Sequence, residues 1–211
     1  MHEFIYPHQF HLIKQQLKTI VYAKDSSTDL NVVEAVREMA LERIYNAFIN
    51  LTDDQKNTLE PIHHISNKEE METCLYSLKK QVIPFPKISQ QMVEKAFPKA
   101  KKLKAPAMEN IDLRETVYLR WYDKGSNKTY MLAPNEEKLV SLQGFLEPTQ
   151  HKGICSICNG LEEVSLFTAE RKGRIRGTYS KSGNYICKDS EVCNQNISTL
   201  EHLYFFIDHI K

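Results

Sequence analysis

Seven glycines in 211 residues leave little material for a loop that cradles phosphates, and neither a P-loop nor a GxGxxG occurs. HExxH is missing as well, which excludes the helical zinc-protease site, and no GxSxG elbow of a hydrolase is present. No apolar run approaches the ~18 residues of a membrane span, and the start Met1-His2-Glu3 lacks the apolar stretch of a secretion signal. A cytoplasmic protein without a membrane partner is therefore expected. Strong charge of one sign is also lacking, since the formal net charge is +1. That total hides an asymmetry: residues 1–94 carry 10 Lys+Arg against 13 Asp+Glu, and residues 95–211 carry 18 against 14. A dedicated nucleic-acid binder working by counterion release would be far more basic, so nucleic acid is not favoured as the main partner. With 41% hydrophobic and 26% charged residues the composition is that of an ordinary folded chain, and nothing in it calls for catalysis.

What the chain does have is a cysteine quartet near its end. Cys155-x2-Cys158 and Cys187-x5-Cys193 are separated by 28 residues. Two close pairs of thiolates can complete a tetrahedron around a soft d¹⁰ cation, and one structural Zn²⁺ is the expected occupant. Gly153 before the first pair and Asn159-Gly160 after it supply turn chemistry that can aim both sulfurs at one point. The rival readings are two disulfides, which the cytosol disfavours, or a redox CxxC. The redox pair would want a helix N-terminus within a βαβ unit, and this stretch reads as a hairpin. A four-thiolate site is closed, so it should stabilise the fold and leave water unactivated. His151, four residues before Cys155, is a weaker candidate ligand, and the pair His63-His64 has no partner at ligand spacing. Cys74, on the apolar side of its helix, reads as a small buried hydrophobe.

Periodicity splits the chain in two. Phe10, Ile13, Leu17 and Ile20 form one helical stripe. Val33, Val36, Ala40, Ile44, Ala47 and Leu51 form a second, and Met71, Leu75, Leu78 and Val82 a third. Thr52-x-x-Gln55 and Ser66-x-x-Glu69 fit capping boxes. These features predict a helical bundle over 1–83. The prolines of Val82-Ile-Pro-Phe-Pro-Lys87 then end helical structure. A second domain is expected over 88–197, opening with a short helix from Ser89 to Phe97. The lysines at 99, 101, 102 and 104 follow, readable as a solvated face or as a surface for an anionic partner.

From about 115 the apolar period becomes 2. Residues 116–123, 128–133 and 139–146 read as an antiparallel sheet, with turns at 124–127 and 134–137. Residues 164–168 and 177–179 read as a hairpin around Gly173, flanked by the basic group Arg171, Lys172, Arg174 and Arg176. A last helix carries Leu200, Leu203, Ile207 and Ile210 on one side. The fold class is thus α+β: a helical bundle, then an antiparallel-sheet domain with a treble-clef-like Cys₄ zinc finger. The x5 spacing departs from the usual second CxxC of that motif.

Particular residues carry a resemblance over nearly the whole chain. They are Tyr6-Pro-His-Gln-Phe10, the Asn67-Lys-Glu69 helix start and Lys101-Lys-Leu-Lys-Ala-Pro106, and above all the cysteine region. There Gly153-Ile-Cys-Ser-Ile-Cys-Asn159, Val164-Ser-Leu-Phe167, Gly183-Asn-Tyr-Ile-Cys-Lys-Asp-Ser190 and Cys193-Asn194 resemble the FusB/FusC family of elongation factor G-binding, fusidic acid resistance-type proteins. The resemblance implies a last helix, about 198–211, that packs back towards the bundle. It also implies binding of the C-terminal domains of elongation factor G and release of that factor from drug-stalled ribosomes, which would be met only indirectly. By position the contact residues would be Ile154, Ser182, Tyr185 and Phe206. Ile154 and Ser182 depart from the family pattern, which has an aromatic and a lysine there. The alternative reading is a zinc-containing RNA- or DNA-binding module, for which the lysine run and the basic hairpin speak.

Overall fold

Tyr6-Pro-His-Gln-Phe10 starts the first helix of the chain, α1 (Pro7–Ser26). Pro7 sets the backbone angle of the first turn, where its missing N–H costs nothing. The Gln9 side chain accepts from the Tyr6 amide at 2.8 Å and donates to the Ala47 carbonyl at 2.6 Å. The computed structural model describes residues 3–135, 138–172 and 179–210, and the chain divides after Pro84 into two units.

The first unit continues with α2 (Leu30–Asn46), α3 (Asp53–Leu59), a 3₁₀ turn (Glu60–His64) and α4 (Lys68–Lys79). Phe10, Ile13, Leu17 and Ile20 are buried together with Ile44, Ile62, Met71, Leu75 and Leu78. The α2 stripe is only partly covered: Ala40 and Ile44 are buried, Val33 and Val36 half-buried. The two ends of the unit are tied by main-chain bonds, Ile5 to Gln81 at 3.1 Å and Ile83 to Ile5 at 2.8 Å. The Thr52–Gln55 capping box forms as expected. The second box slips by one residue. Asn67, as good an N-cap as serine, accepts from the Glu70 amide, and Ser66 donates its amide and hydroxyl to the Glu70 carboxylate. His63 bonds to the Tyr45 hydroxyl at 2.8 Å, and its carbonyl accepts from Arg37, so it locks the 3₁₀ turn to α2. Cys74 is a buried free thiol whose pKa burial pushes up.

In the second unit Ser89 caps α5 (Gln90–Ala96). Six antiparallel strands follow: β1 (Leu119–Asp123), β2 (Lys128–Asn135), β3 (Lys138–Leu146), β4 (His151–Ile154), β5 (Leu161–Lys172) and β6 (Tyr179–Cys187). Two helices close the chain, α6 (Ser190–Asn196) and α7 (Glu201–Ile210). The order along the sheet is β1-β2-β3-β5-β4, with β6 on the other side of β5. Alternation on β2 explains why it is buried on both faces. Tyr130 and Leu132 pack with Phe85, Phe97 and Leu103, whereas Met131 and Ala133 pack with Phe167, Ile186 and α7. Where β3 meets β5, a Cβ on Gly144 would lie 2.3 Å from the Thr168 carbonyl and 2.6 Å from the Phe167 ring, so the curl of the sheet requires glycine there.

Helix α7 belongs to the sheet: Leu203, Phe206, Ile207 and Ile210 are buried in the core that holds Met131 and Phe167. A stripe so apolar needs a broad apolar face, and the curled sheet supplies it. Residues 173–178 lie outside the described residues, as do Glu136 and Glu137. The tip of the basic hairpin and the start of the 177–179 strand fall there. Among the described residues no helix is long and apolar enough to cross a membrane.

The bundle carries a pH dependence. Burial, then the neighbouring His11, lowers the His8 pKa from 6.5 to about 4. The unfolded chain therefore binds a proton between these values that the folded chain refuses, so stability is complete above 6.5 and falls as the pH drops towards 4. Between pH 7 and pH 5 the loss amounts to about 2 kcal/mol. Thermal melts followed by far-UV circular dichroism should show a smaller pH 7-to-5 drop in His8→Gln than in the parent chain.

Candidate metal centre

A single feature of the chain accounts for the position of each of the four sulfurs. Cys155 and Cys158 flank the turn between β4 and β5, Cys187 is the last residue of β6, and Cys193 sits in the second turn of α6. The turn is held by the Asn159 amide on the Cys155 carbonyl at 2.9 Å and the Cys155 amide on the Gly160 carbonyl at 3.0 Å. Asn159 takes a left-handed conformation, φ 57°, which asparagine tolerates better than most side chains. The x5 spacing also has a local cause. Lys188 and Asp189 separate the end of β6 from the helix, and Asp189 is the N-cap, accepting from the Glu191 and Val192 amides. Cys193 thus falls four residues into the cap, one position beyond the first turn.

The donor set fits zinc. Four metal–sulfur bonds of about 2.3 Å at tetrahedral angles place the sulfurs ~3.8 Å apart. Cys155 and Cys193 sulfurs are 3.7 Å apart, Cys158 and Cys187 sulfurs 3.5 Å, and all four lie within 4.8 Å of one another. The Ile157 and Cys187 amides both point at the Cys155 sulfur, at 3.4 and 3.3 Å. Such N–H···S contacts spread the negative charge that a four-thiolate centre carries.

The ionisation of the quartet leads to the same conclusion. Hydrogen bonds from Cys158, and then from Cys187 and Cys193, hold the Cys155 thiol far below its ordinary range. Cys193 moves far up because it donates to Cys155, Cys158 and Cys187 and is buried, and Cys187 rises for the like reason. Cys158 is lowered as well, so the cluster is divided: two thiols ionise readily and two, Cys187 and Cys193, resist. A dication at its centre reverses that resistance, which is how zinc deprotonates its ligands. The site is one closed structural zinc centre, with every thiolate committed and none of the described His, Asp or Glu side chains in the cluster. His151 is not among the ligands; its ring packs edge-on against Tyr185, centroids 4.7 Å apart.

Two side chains that sequence reading passed over fasten this centre to the sheet. Asn194, next to Cys193, accepts from the Val117 and Tyr118 amides at 2.6 and 3.0 Å and donates to the Tyr118 and Ser190 carbonyls. Arg120 on β1 donates to the carbonyls of Cys187 and Lys188 at 2.8 and 2.7 Å. The only sequence signal was the position of Asn194 beside a ligand; its partners on the sheet side, Val117 and Tyr118, lie more than 70 residues away, beyond the reach of any local pattern.

Among the expected partner residues, Tyr185 is 46% exposed on β6 and Ile154 is 56% exposed on β4. The main chain brings them close, because the Ser156 amide donates to the Tyr185 carbonyl at 2.8 Å. Ser182 is half-buried and lies three residues from Tyr185 on the same strand, so alternation sends the two side chains to opposite faces. Phe206 lies elsewhere. It is fully buried against Phe167, and the aromatic that α7 shows to solvent is its neighbour Phe205, 72% exposed. The stripe Leu203-Phe206-Ile207-Ile210 follows the helical period, so the sheet takes Phe206 and leaves Phe205 out.

Comparison with known proteins identifies the architecture. Residues 4–86 match the family model for the N-terminal part of elongation factor G-binding proteins. Residues 87–204 match the model described as the FBP C-terminal treble-clef zinc-finger. The solved structure of the fusidic acid resistance protein FusC superposes with a TM-score of 0.85 at 33% identity, over 99% of this chain and 98% of that one. A search of curated proteins finds no match.

Zinc removal should unfold the second unit, because a Cys₄ site contributes on the order of 10 kcal/mol at neutral pH. The single tryptophan, Trp121, lies in β1 of that unit and reports on it. Chelation, or Cys187→Ser, should abolish its cooperative emission change on heating; an unchanged melt would contradict the structural role. In Asn194→Ala the Val117 and Tyr118 amides lose their buried acceptor, and urea denaturation followed at Trp121 should register a loss of about 2–4 kcal/mol.

Proposed function

The chain belongs to the elongation factor G-binding family that includes FusC, and from that membership we infer that it binds elongation factor G in the cytoplasm and releases it from ribosomes stalled by fusidic acid. The observation that carries the reading is the match of two consecutive family models along residues 4–204, joined to an exposed face built on the zinc centre. The chain acts by binding, not by catalysis: its zinc is fully ligated by protein thiolates and offers no open position.

Physical chemistry supports the zinc-side face as the docking surface. Tyr185 is an aromatic with few rotatable bonds, braced by the His151 ring and held on a strand whose end is a metal ligand. A contact residue fixed in this way loses little entropy on binding, and tyrosines at such positions are frequent hot spots. Ile154, with Leu161 across from it at 58% exposure, adds apolar surface at the first cysteine pair. Phe205 takes the role that the resemblance gave to Phe206, since it is the aromatic on α7 that a partner can reach. Ser182 contributes at most a hydrogen bond, where the family pattern has a lysine.

Calorimetric titration with purified elongation factor G tests the reading. Binding at micromolar factor is expected, and Tyr185→Ala should weaken it by about thirtyfold, the equivalent of a ~2 kcal/mol hot spot. No heat of binding at tens of micromolar would end the proposal. Growth in fusidic acid with and without the gene then separates release of the stalled factor from binding alone.

A further inference from the structure

Residues 87–104 carry the lysines 87, 95, 99, 101, 102 and 104 against a single acid, Glu94, a balance of +5 in a chain whose total is +1. The rest of the chain is thus net negative. All six lysines are exposed, and none has a carboxylate partner among the described residues. The segment that bears four of them has no regular secondary structure, yet it is fixed. Gln90 clamps it from α5, donating to the Leu103 carbonyl and accepting from the Ala105 amide, both at 2.9 Å. Two successive turns, Ala100 to Phe97 and Leu103 to Ala100, wind it back on itself at 2.9 Å each. Phe97 and Leu103 are buried in the core beside β1 and β2, so the lysines project from an anchored base. An uncompensated cluster of like charges repels itself, and holding it in one place costs stability that a free solvated loop would avoid.

We propose that this lysine platform is a contact for the phosphate backbone of folded RNA. The composition selects the partner. Protein–protein interfaces favour arginine and aromatics and are depleted in lysine, whereas this patch has lysine alone and displays no aromatic between the charges. Lysine is a point charge suited to phosphate oxygens. The absence of interleaved aromatics also excludes base stacking on single strands. What remains is electrostatic, sequence-independent contact with a structured backbone. The proposal rests on the reading that the protein works at the ribosome, where it would make this contact directly.

Fluorescence anisotropy with a labelled RNA hairpin, in the absence of elongation factor G, tests it. Affinity should fall steeply with salt. Replacing Lys99, Lys101, Lys102 and Lys104 by glutamine should weaken binding more than tenfold and flatten the log–log salt slope by about 3 units. Replacing the same four by arginine should keep both affinity and slope, which separates charge from misfolding. Tyr185→Ala should bind the hairpin like the parent chain, and the glutamine variant should bind elongation factor G undiminished, so the two functions fail separately. Absence of RNA binding, or RNA binding indifferent to the glutamine changes, overturns the proposal. So does loss of binding to the factor or to polyglutamate in place of RNA, which would make the patch a protein contact.

Discussion

Four thiolates must meet at one point, and much of the second unit is arranged around that requirement. The knuckle needs the left-handed Asn159 to bring Cys155 and Cys158 together. The long β5–β6 hairpin has to end at Cys187, and α6 has to begin three residues later so that Cys193 closes the tetrahedron. A bound zinc would tie three elements together at one point, and Asn194 and Arg120 extend the hold to the strand that opens the sheet. Zinc binding would add its own free energy to the two apolar cores that this sheet already carries.

The same arrangement turns a structural ion into a binding device. The zinc has no free coordination position, so its influence is mechanical. It fixes the strand end that carries Tyr185 and the turn that follows Ile154, and the Ser156 amide on the Tyr185 carbonyl joins the two. The bundle in the first unit is built by different means, with helix stripes, caps and a paired chain end, and it holds no metal cluster among the described residues. Charge is divided as unevenly as structure. The acid excess of most of the chain leaves the 87–104 platform as the one concentrated positive stretch of the second unit among its described residues.

Much of this was legible in the sequence, for physical reasons that differ by element. The α1 and α4 stripes obey the helical period and are buried as read. Strands β1 to β3 alternate clearly because two different cores lie on their faces. The zinc ligands were readable because soft-metal chemistry constrains both residue type and spacing. The second capping box slipped by one residue because asparagine competes with serine for the cap and the glutamates at 69 and 70 are adjacent. What covers helix α7 was not legible for another reason: periodicity shows which side of a helix is apolar but not which element lies against it. Asn194 and Arg120 were invisible, since a buried polar side chain is explained only by partners far away in sequence.

Hydrogen–deuterium exchange of the zinc-loaded chain with and without elongation factor G tests the central claim most directly. The account predicts that the factor slows exchange in the knuckle and in β4 and β6, between residues 151 and 187, and leaves α1 and α4 unchanged. Protection confined to the helical bundle, with the zinc-side strands exchanging as in the free protein, would contradict it.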